Sequence, residues 1–370
     1  MKVTLIALHF SQYVSGLARA LAQHHEVLLI LNRNNFDNEV GDDQIFDELK
    51  GLRVYYLPHT RNPFTVLPRA RELVRIIRAF GSDIIHCQED TKDYLAVALP
   101  FLDRIPFVLT VHDPKPHTGL DAKRRRRSRH GFYGRQLRSR ADMVIVHGDS
   151  LVPIAEEVIP QLLGRVFSIP HGPLFDQQPD FDWKPGNCLF FGRIEAYKGL
   201  PYFIEAIRIL RGEGMPITGV IAGRGTELDR LKTSLQNDSG FVIKDRYLSP
   251  AEVRDCFLQA NVVVLPYVDA TQSGVAACAL GIGRPVIATK VGSLPDMVRD
   301  GKSGILVPPK DSAAVAAAIR LVVEKPELAR SMAKSALELA AGELSWREIA
   351  RKTSHVYEQA MRFSVSNVRR

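Results

Sequence analysis

The sequence predicts an α/β protein built from two doubly wound parallel sheets. Three observations lead to this prediction. Apolar runs without polar alternation, which are typical of strands buried on both faces, alternate with stretches that have helical apolar spacing. The pattern stops near residue 172 and then starts again. A chain of 370 residues is also too long for one compact core, so we expect two domains of the same class that face each other across a cleft.

The predicted first domain covers residues 1–172 and opens with a strand, a polar loop and a helix. The strand is "KVTLIAL", the loop is "HFSQYVSG" and the helix is "LARALAQHH". More apolar runs follow, and "PRARELVRIIRAF" has the spacing of a helix that packs one face on a sheet. The predicted strands of this domain are residues 2–8, 26–31, 52–58, 82–88, 106–113, 141–149 and 165–172.

The predicted second domain covers residues 173–354. It opens with "GPLFDQQPDFDWKPGN", a segment rich in Pro, Asp and Gly without periodicity, which indicates a linker. The same alternation of apolar runs and helical stretches then resumes. A helical segment at about 355–370 ends the chain and can pack back on the first domain. The predicted strands of this domain are residues 188–194, 217–225, 241–247, 261–267, 285–289 and 304–309.

Cysteine usage and hydropathy point to the cytoplasm. Cys87, Cys188, Cys256 and Cys278 are far apart and form no C-x-x-C pair, so we expect neither a disulfide framework nor a zinc site. The opening apolar run is short, meets His9 and lacks a small-residue cleavage site, which favours a strand over a signal peptide. No stretch reaches the roughly 20 apolar residues that a membrane span needs.

Positive charge is concentrated in residues 123–140, "KRRRRSRHGFYGRQLRSR", in a chain of net charge +8. Such a segment suits anionic lipid head groups, phosphorylated substrates or nucleic acid, and a solvated helix face is the simplest alternative. Nucleic acid is the least favoured partner, because only two aromatic residues that could stack on bases interleave with the arginines. The candidate acceptor or membrane residues are Arg124, Arg125, Arg126 and Arg127.

The segment "FFGRIEAYKGL" contains a candidate clamp for a diphosphate. A predicted strand ends at Gly192, and Arg193 and Lys198 follow in the loop that opens the next helix. An Arg fork and a Lys point charge at the carboxyl end of a strand suit phosphate oxygens. Two ordinary surface cations are the alternative interpretation.

A second candidate phosphate site is "TQSGV", just after the apolar run "NVVVLPY". Ser273, Gly274 and Val275 precede a small-residue helix, so their backbone N–H groups lie at the positive end of its dipole. Gly274 would let a ligand approach the main chain closely. An ordinary helix cap is the alternative.

Together these segments resemble the retaining glycosyltransferases of family 4, which have the GT-B architecture of two Rossmann-like domains. The resemblance runs through "VLTVHDPKPHTG", "IPHGP", "FFGRIEAYKGL", "VIAGRG", "LPYVDATQSGV" and "GIGRPVIATKVGSLPDMVRDGKSGILVPP". It implies transfer of a sugar from a nucleotide diphosphate sugar with retention of configuration, without a bound metal or other cofactor. It also places Arg193 and Lys198 on the donor diphosphate, Gly16 in a loop that faces the phosphates, and His112 beside the transferred sugar.

His112 and Asp113 end a predicted strand, and His117 is close behind. Polar residues at the carboxyl end of a strand favour a sugar-hydroxyl contact in this fold class. A purely structural histidine and a metal site made of these three residues are the alternatives. The metal site is disfavoured because no fourth ligand is evident.

One departure from the family concerns two glutamates, eight positions apart, of which the second usually binds the ribose. Registered on "GxPV", these positions are Ala270 and Cys278, and neither side chain accepts strongly from a hydroxyl. Asp269 is one residue early. The sequence therefore leaves two alternatives for Cys278, which either faces the ribose or packs in the core.

We expect a cytoplasmic glycosyltransferase that also associates with the inner face of the plasma membrane. Its expected substrates are a nucleotide sugar and a saccharide or lipid-linked acceptor, in surface polysaccharide or glycolipid biosynthesis. The alternatives are a GT-B nucleotide-sugar epimerase, and a non-catalytic protein that binds a nucleotide sugar or nucleic acid.

Overall fold

The structure is a computed structural model that describes residues 1–40, 49–57, 63–89, 93–115, 129–175 and 183–368. These residues form two compact units. The first unit holds the chain up to Pro170 and takes it up again at Trp346, and the second holds His171 to Ser345. The sequence placed the change of domain two residues later, and the return to the first domain near residue 355.

The first unit contains, within its described residues, seven parallel strands in the order β3-β2-β1-β4-β5-β6-β7. The order reverses beside β1, as in a doubly wound sheet. The strands are β1 (Lys2–Ala7), β2 (Glu26–Asn32), β3 (Arg53–Leu57), β4 (Ile84–Gln88), β5 (Phe107–Thr110), β6 (Met143–Val146) and β7 (Val166–Ser168). The helices are α1 (Ser11–Leu21), α2 (Arg33–Val40), α3 (Val66–Phe80), α4 (Asp93–Ala98), α5 (Arg129–Arg140) and α6 (Leu151–Val158).

The second unit contains six parallel strands in its described part, in the order β10-β9-β8-β11-β12-β13. The strands are β8 (Asn187–Phe191), β9 (Thr218–Ala222), β10 (Phe241–Lys244), β11 (Val262–Leu265), β12 (Val286–Thr289) and β13 (Gly304–Val307). The helices are α7 (Leu200–Gly212), α8 (Thr226–Leu235), α9 (Pro250–Gln259), α10 (Gly274–Gly281), α11 (Leu294–Met297), α12 (Ser312–Glu324) and α13 (Pro326–Ala341).

The last helix, α14 (Trp346–Val368), belongs to the first unit and packs against α1. A Cβ atom built on Gly16 of α1 would lie 2.4 Å from Cε2 of Trp346, so only glycine lets the indole approach this closely. The Ser354 hydroxyl lies 2.8 Å from His25 Nε2 in the same interface. The final helix therefore covers part of the first unit's core.

The parallel sheets confirm the predicted fold class, and every predicted strand overlaps an observed one. The central strands are apolar and fully buried, as in β11, where Val263 pairs with Val286 of β12. Burial on both faces explains why their sequences show no alternation. Among the described helices, none is long and apolar enough to cross a membrane.

Candidate active site

The loop after β8 is built by a glycine in a conformation that other residues avoid. Gly192 has φ 113°, and its N–H donates to the carbonyl oxygen of Ala222 at 3.0 Å. The next loop along the sheet presses against it, because a Cβ on Gly223 would lie 2.0 Å from the Gly192 carbonyl oxygen. The neighbouring residue, Ile194, donates its N–H to the Arg224 carbonyl oxygen at 2.8 Å. The backbone that carries Arg193 and Lys198 is therefore held firmly at the carboxyl edge of the sheet.

Lys198 is buried behind this loop, with only 7% of its surface exposed. Its Nζ lies 3.5 Å from the Phe191 carbonyl oxygen and 5.4 Å from the centre of the Tyr267 ring. Burial, with a smaller contribution from the nearby Arg193, lowers the pKa of Lys198 to about 8. Within the described residues, Lys198 makes no ion pair with a carboxylate. Because buried charges are normally paired, this ammonium indicates a site for an anion.

Lys198 also lies close to the first turn of α10. A Cβ built on Gly192 would lie 2.6 Å from Lys198 Nζ and 3.6 Å from Cγ2 of Val275. Arg193, by contrast, is exposed and lies beside Tyr197, where its positive charge opposes the rise that burial causes in the pKa of that phenol. The structure thus brings together four residues that the sequence assigned to the donor: Gly192, Arg193, Lys198 and Val275.

The N-terminus of α10 is capped by Ser273, whose hydroxyl oxygen accepts from the Ala276 N–H at 3.2 Å. The Ala277 N–H bonds to the Ser273 carbonyl oxygen at 3.2 Å. Neither bond uses the N–H groups of Gly274 and Val275, which point along the helix axis toward the end with positive dipole. An anion would find two main-chain donors here, close to the buried ammonium of Lys198.

His171 is a neighbour of this helix terminus that the sequence reasoning did not single out. Its Nδ1 lies 2.8 Å from the Gly172 carbonyl oxygen, and its Nε2 lies 3.7 Å from a Cβ built on Gly274. The imidazole is only 4% exposed. Its place in "IPHGP", directly after the last strand of the first unit, was the available signal.

In the first unit, polar side chains gather where β4, β5 and β6 end. His112 is 4% exposed, and its Nε2 lies 2.9 Å from the Gln88 Oε1. One face of the imidazole stacks on Phe10, with the ring centres 3.9 Å apart. His147 lies on another side, with its ring centre 4.9 Å from that of His112. Burial lowers the pKa of His147 to about 4, so this neighbour is neutral.

The stacking on His112 depends on an unusual backbone. Phe10, the residue before α1, has φ 66° and ψ 36°, in the left-handed region that bulky residues seldom adopt. Such a conformation costs of order 1–3 kcal/mol and persists only where the surroundings enforce it. Strain next to a buried polar residue at the end of a strand is typical of a functional site.

The loop after His112 is fixed by an ion pair. Arg138 of α5 pairs with Glu89 through both ends of its guanidinium, with Nε to Oε1 at 2.5 Å and Nη2 to Oε2 at 3.0 Å. The same guanidinium donates to the carbonyl oxygens of Asp113 and Pro114 at 3.0 Å each. Burial opposes the charge on Arg138, but Glu89 raises its pKa, so the clamp stays ionised.

Comparison with known proteins decides the family. Residues 11–172 match a family model described as Glycosyltransferase Family 4, and residues 185–325 match one described as Glycosyl transferases group 1. The two models together span most of the chain. The chain belongs to the family 4, group 1 glycosyltransferases.

Relatives of this glycosyltransferase include a glycogen synthase and D-inositol 3-phosphate glycosyltransferases. The glycogen synthase of Mycobacterium tuberculosis strain H37Rv is 27% identical over 389 residues, which cover 95% of this chain and 91% of that protein. A D-inositol 3-phosphate glycosyltransferase of a Nocardioides species is 34% identical over 191 residues, or 46% of this chain and 41% of that protein.

Solved structures show that the glycosyltransferase has the GT-B fold. The sucrose-phosphate synthase of Thermosynechococcus elongatus superposes with a TM-score of 0.72 at 20% identity, covering 97% of this chain and 98% of that chain. The catalytic domain of starch synthase IV from Arabidopsis thaliana, solved with ADP and acarbose, gives 0.71 at 15% identity, covering 97% and 99%. Anabaena HepE in complex with UDP-glucose gives 0.69 at 18% identity, covering 97% and 100%.

Gly16 does not lie where the sequence interpretation placed it. The loop was expected to run through Gly16, but α1 of the glycosyltransferase begins at Ser11 and Gly16 is buried inside it, against Trp346. That placement was wrong because a polar stretch was read as a loop. In the structure, the Ser15 hydroxyl donates to the Ser11 carbonyl oxygen within the first turns, and the Ser11 hydroxyl donates to Asn35 Oδ1 of α2. The glycine is explained by close helix packing.

The two positions that lack the family's glutamates are buried in the second unit's core. Ala270 is 8% exposed and Cys278 4%, and both belong to one apolar cluster that includes Tyr267 and Leu280. Burial raises the pKa of the Cys278 thiol to about 12, so the group is neutral. This environment favours the packing alternative, and a ribose contact from Cys278 stays a prediction. Asp269 is half-buried beside them.

Two buried polar atoms near these positions were not identified by the sequence reasoning. Gln272 Oε1 and Ser293 Oγ are buried, and neither finds a hydrogen-bond partner in the part of the chain that the structure describes. Ser293 is tied to the loop before α10, since its N–H donates to the Thr271 carbonyl oxygen at 2.9 Å. Buried polar groups are normally satisfied, so both atoms indicate a bound ligand or water. Nothing in the residue types alone signals this.

Several predicted residues are outside the described ranges. They are His117 and the run Arg124, Arg125, Arg126 and Arg127. Among the residues that the structure does describe, no group of three or more His, Cys, Asp or Glu side chains could hold a metal ion.

Proposed function

We propose that the protein transfers a sugar from a nucleotide diphosphate sugar to a saccharide or lipid-linked acceptor, with retention of the anomeric configuration. The observation that carries this proposal is the buried ammonium of Lys198 beside Gly192 and Val275, which has no carboxylate partner among the described residues. A diphosphate would supply the missing negative charge. The UDP-glucose complex of the structurally similar Anabaena HepE supports a donor of this class.

In the proposed step, an acceptor hydroxyl oxygen forms a bond to the anomeric carbon while the bond from that carbon to the diphosphate oxygen breaks. The electron pair stays on the departing diphosphate, which takes up the proton of the acceptor hydroxyl. Lys198, Arg193 and the N-terminus of α10 stabilise the charge that develops there, so the step needs no metal. Retention follows when the acceptor attacks from the face that the diphosphate leaves.

We assign His112 to the transferred sugar, because imidazole nitrogens bind hydroxyls and the ring is held rigidly by Gln88 and Phe10. In place of the family's carboxylates, the Gln272 carboxamide oxygen and the Ser293 hydroxyl are suited to bind donor hydroxyls. Asp269 is the nearby acid that could act with them.

A panel of nucleotide diphosphate sugars with different bases, screened by thermal stabilisation, tests the donor class. A ligand that binds only the folded state raises stability by RT ln(1 + [L]/Kd), so the true donor should stand out. Arg193→Ala should then lower kcat/KM for that donor by roughly 10²-fold, if it contributes one leaving-group contact. Arg208→Ala, which removes an exposed arginine paired with Asp238, is the control and should have little effect.

Three outcomes would change the proposal. Near-normal kinetics of Arg193→Ala would remove the diphosphate assignment. Release of free or epimerised sugar without an acceptor would favour the epimerase alternative. Loss of activity with a chelator, restored by added metal, would show that the cations are not sufficient.

We also propose that the first unit binds an anionic membrane surface, where a lipid-linked acceptor would reside. Its helices α3, α4 and α5 pack in sequence. Three exposed phenyl rings lie on or beside them: Phe64 just before α3, Phe101 just after α4 and Phe132 on α5, which are 88%, 56% and 51% exposed. The Arg124–Arg127 run directly precedes α5 in the sequence. Exposed guanidinium groups accompany the phenyl rings: Arg71, Arg75, Arg78, Arg104 and Arg135.

Vesicles of phosphatidylglycerol and phosphatidylcholine test this surface. Replacing Phe64 and Phe101 by Ser should weaken vesicle binding, and neutralising Arg124–Arg127 should weaken it by about 1 kcal/mol per charge. Tyr247→Ser, at an 86% exposed aromatic residue of the second unit, is the matched control and should bind like the wild type. Equal binding by all variants at low salt would contradict the proposal and would show that the arginine run is only a solvated face.

A further inference from the structure

A chain of buried hydrogen bonds links α14 to His112. The Tyr357 hydroxyl lies 2.7 Å from His86 Nδ1, and His86 Nε2 lies 2.7 Å from the Thr110 hydroxyl. The Gln88 carboxamide nitrogen approaches His86 Nε2 at 3.5 Å, while its oxygen lies 2.9 Å from His112 Nε2. Each of these five side chains is 4% exposed or less.

The sheet explains why these groups meet. His86 and Gln88 are two residues apart on β4, so they project from the same face, and Gln88 pairs with Thr110 of β5. His112 follows β5 by two residues and thus lies beyond Thr110. Trp346, at the start of α14, provides a second route to the site, because its ring packs on Tyr13 and Tyr13 packs edge-on against His112.

The chemistry of each member fixes that of the next. Burial lowers the pKa of His86 to about 3 and holds the pKa of Tyr357 well above its usual range, so both groups are neutral. The Gln88 carboxamide nitrogen can only donate, so His86 Nε2 accepts from it and from the Thr110 hydroxyl. The hydrogen of neutral His86 is then on Nδ1, which donates to the Tyr357 hydroxyl. With its nitrogen toward His86, the Gln88 amide has its oxygen toward His112. A carboxamide oxygen only accepts, so His112 Nε2 carries the hydrogen and Nδ1 carries the lone pair.

We propose that Gln88, supported by His86 and Tyr357, is a positioning residue that sets the ring orientation and the tautomer of His112. The inference rests on the proposed function, in which His112 contacts the transferred sugar. In this tautomer Nδ1 is an acceptor, which suits a sugar hydroxyl as donor. The other tautomer, with the hydrogen on Nδ1, would present an N–H to the same hydroxyl and would reverse the direction of the hydrogen bond.

The tautomer can be measured without any substrate. In the full-length protein labelled with ¹⁵N-histidine, the ring signals of His112 are identified by their absence in His112→Ala. We expect the Nε2–H pattern in the wild type and its loss or mixing in Gln88→Met, which keeps the volume but replaces the carboxamide oxygen by a thioether sulfur, a much weaker acceptor. Cys87→Ala is the control, since residue 87 projects from the opposite face of β4 into the apolar cluster there. An Nδ1–H pattern for His112 in the wild type would overturn the inference.

Kinetics with the donor chosen in the thermal screen provides the second test. Gln88→Met should lower kcat at least about tenfold while the Kd for the nucleotide diphosphate stays unchanged. In a His112→Ala background the same change should cause no further loss, because Gln88 acts only through His112. Tyr357→Phe, which removes one oxygen and little volume, should show a smaller loss with the same dependence on His112.

The outcomes separate this inference from the function on which it rests. If Gln88→Met and Tyr357→Phe lower kcat by the same factor with and without His112, they act by another route. The inference on Gln88 then fails, while the proposed function stands. If His112→Ala leaves transfer unchanged, the role proposed for His112 fails as well. Should Gln88→Met not fold, the inference is still tested by Tyr357→Phe, compared with and without His112, and by the tautomer of His112 in the wild type.

Discussion

At the scale of single residues, Lys198 of the proposed donor site lowers the stability of the ligand-free protein. Its ammonium is buried beside the Phe191 carbonyl oxygen and the Tyr267 ring, with no carboxylate partner among the described residues. The lowered pKa is the measure of that cost, since the charged form is less stable in the folded protein than in water. A bound diphosphate would relieve it.

We predict that Lys198→Met raises the melting temperature of the ligand-free protein at pH 7 while it abolishes nucleotide diphosphate binding. Methionine fills the same space without a charge, and the shift from 10.5 to about 8 corresponds to about 3 kcal/mol at most. Lys232→Met, at an exposed lysine paired with Asp245, is the control and should be neutral or slightly destabilising. A fall in melting temperature for Lys198→Met would contradict the prediction.

The same lysine gives a pH dependence with a defined sign. Between about pH 8 and 10.5 the unfolded chain holds the Lys198 proton and the folded protein has lost it, so the free energy of unfolding rises with pH there. Below pH 8 the destabilisation is fully present. The gain from Lys198→Met should therefore be largest below pH 8 and vanish above about pH 10.5, as denaturant unfolding at several pH values would show.

At the scale of elements, α10 combines a polar N-terminus with an apolar body. Its first turn offers main-chain donors, whereas Ala276 to Leu280 are buried in the apolar cluster of the second unit. Position 278 belongs to that buried body. A carboxylate there would lose its hydration unless a ligand hydroxyl or a rearranged neighbour met it.

We predict that Cys278→Glu lowers the melting temperature of the ligand-free protein, while Cys278→Ser, of nearly the same size, lowers it much less. Differential scanning calorimetry measures both changes. Titration with the nucleotide diphosphate then separates the two alternatives for this position. Tighter binding by Cys278→Glu would show that the position faces the ribose after all.

Sequence patterns predicted the strands of both units, because burial on both faces leaves long apolar runs that are hard to mistake. They also singled out Gly192, Arg193, Lys198 and Val275 as candidate donor residues, because these lie close in sequence to two strand ends. The structure brings the four residues together, and their role stays a prediction. The α1 boundary was wrong, since polar residues in a first turn resemble a loop. Gln88 and Tyr357 could not be predicted as neighbours of one site, because 269 residues separate them and only the sheet and the last helix bring them together.

For the whole molecule, the two units differ in how the chain builds them. The described residues of the second unit all come from one stretch of sequence, between His171 and Ser345, whereas the first unit is completed only by α14, more than 170 residues after β7. The contacts of α14 with α1 and His86 are therefore among the least local in the protein. Contacts of that kind form slowly, since a long loop must close before they contribute.

During synthesis on a ribosome, the second unit can acquire its complete core before the helix that covers the first has been made. Until α14 is available, His86 and the face of α1 around Gly16 stay uncovered. Apolar surface that is exposed in this way favours aggregation. The first unit is therefore synthesised first, but it completes its folding after the second unit. Chaperone binding to nascent chains would accordingly be concentrated on residues 1–170 and would end once Tyr357 has emerged.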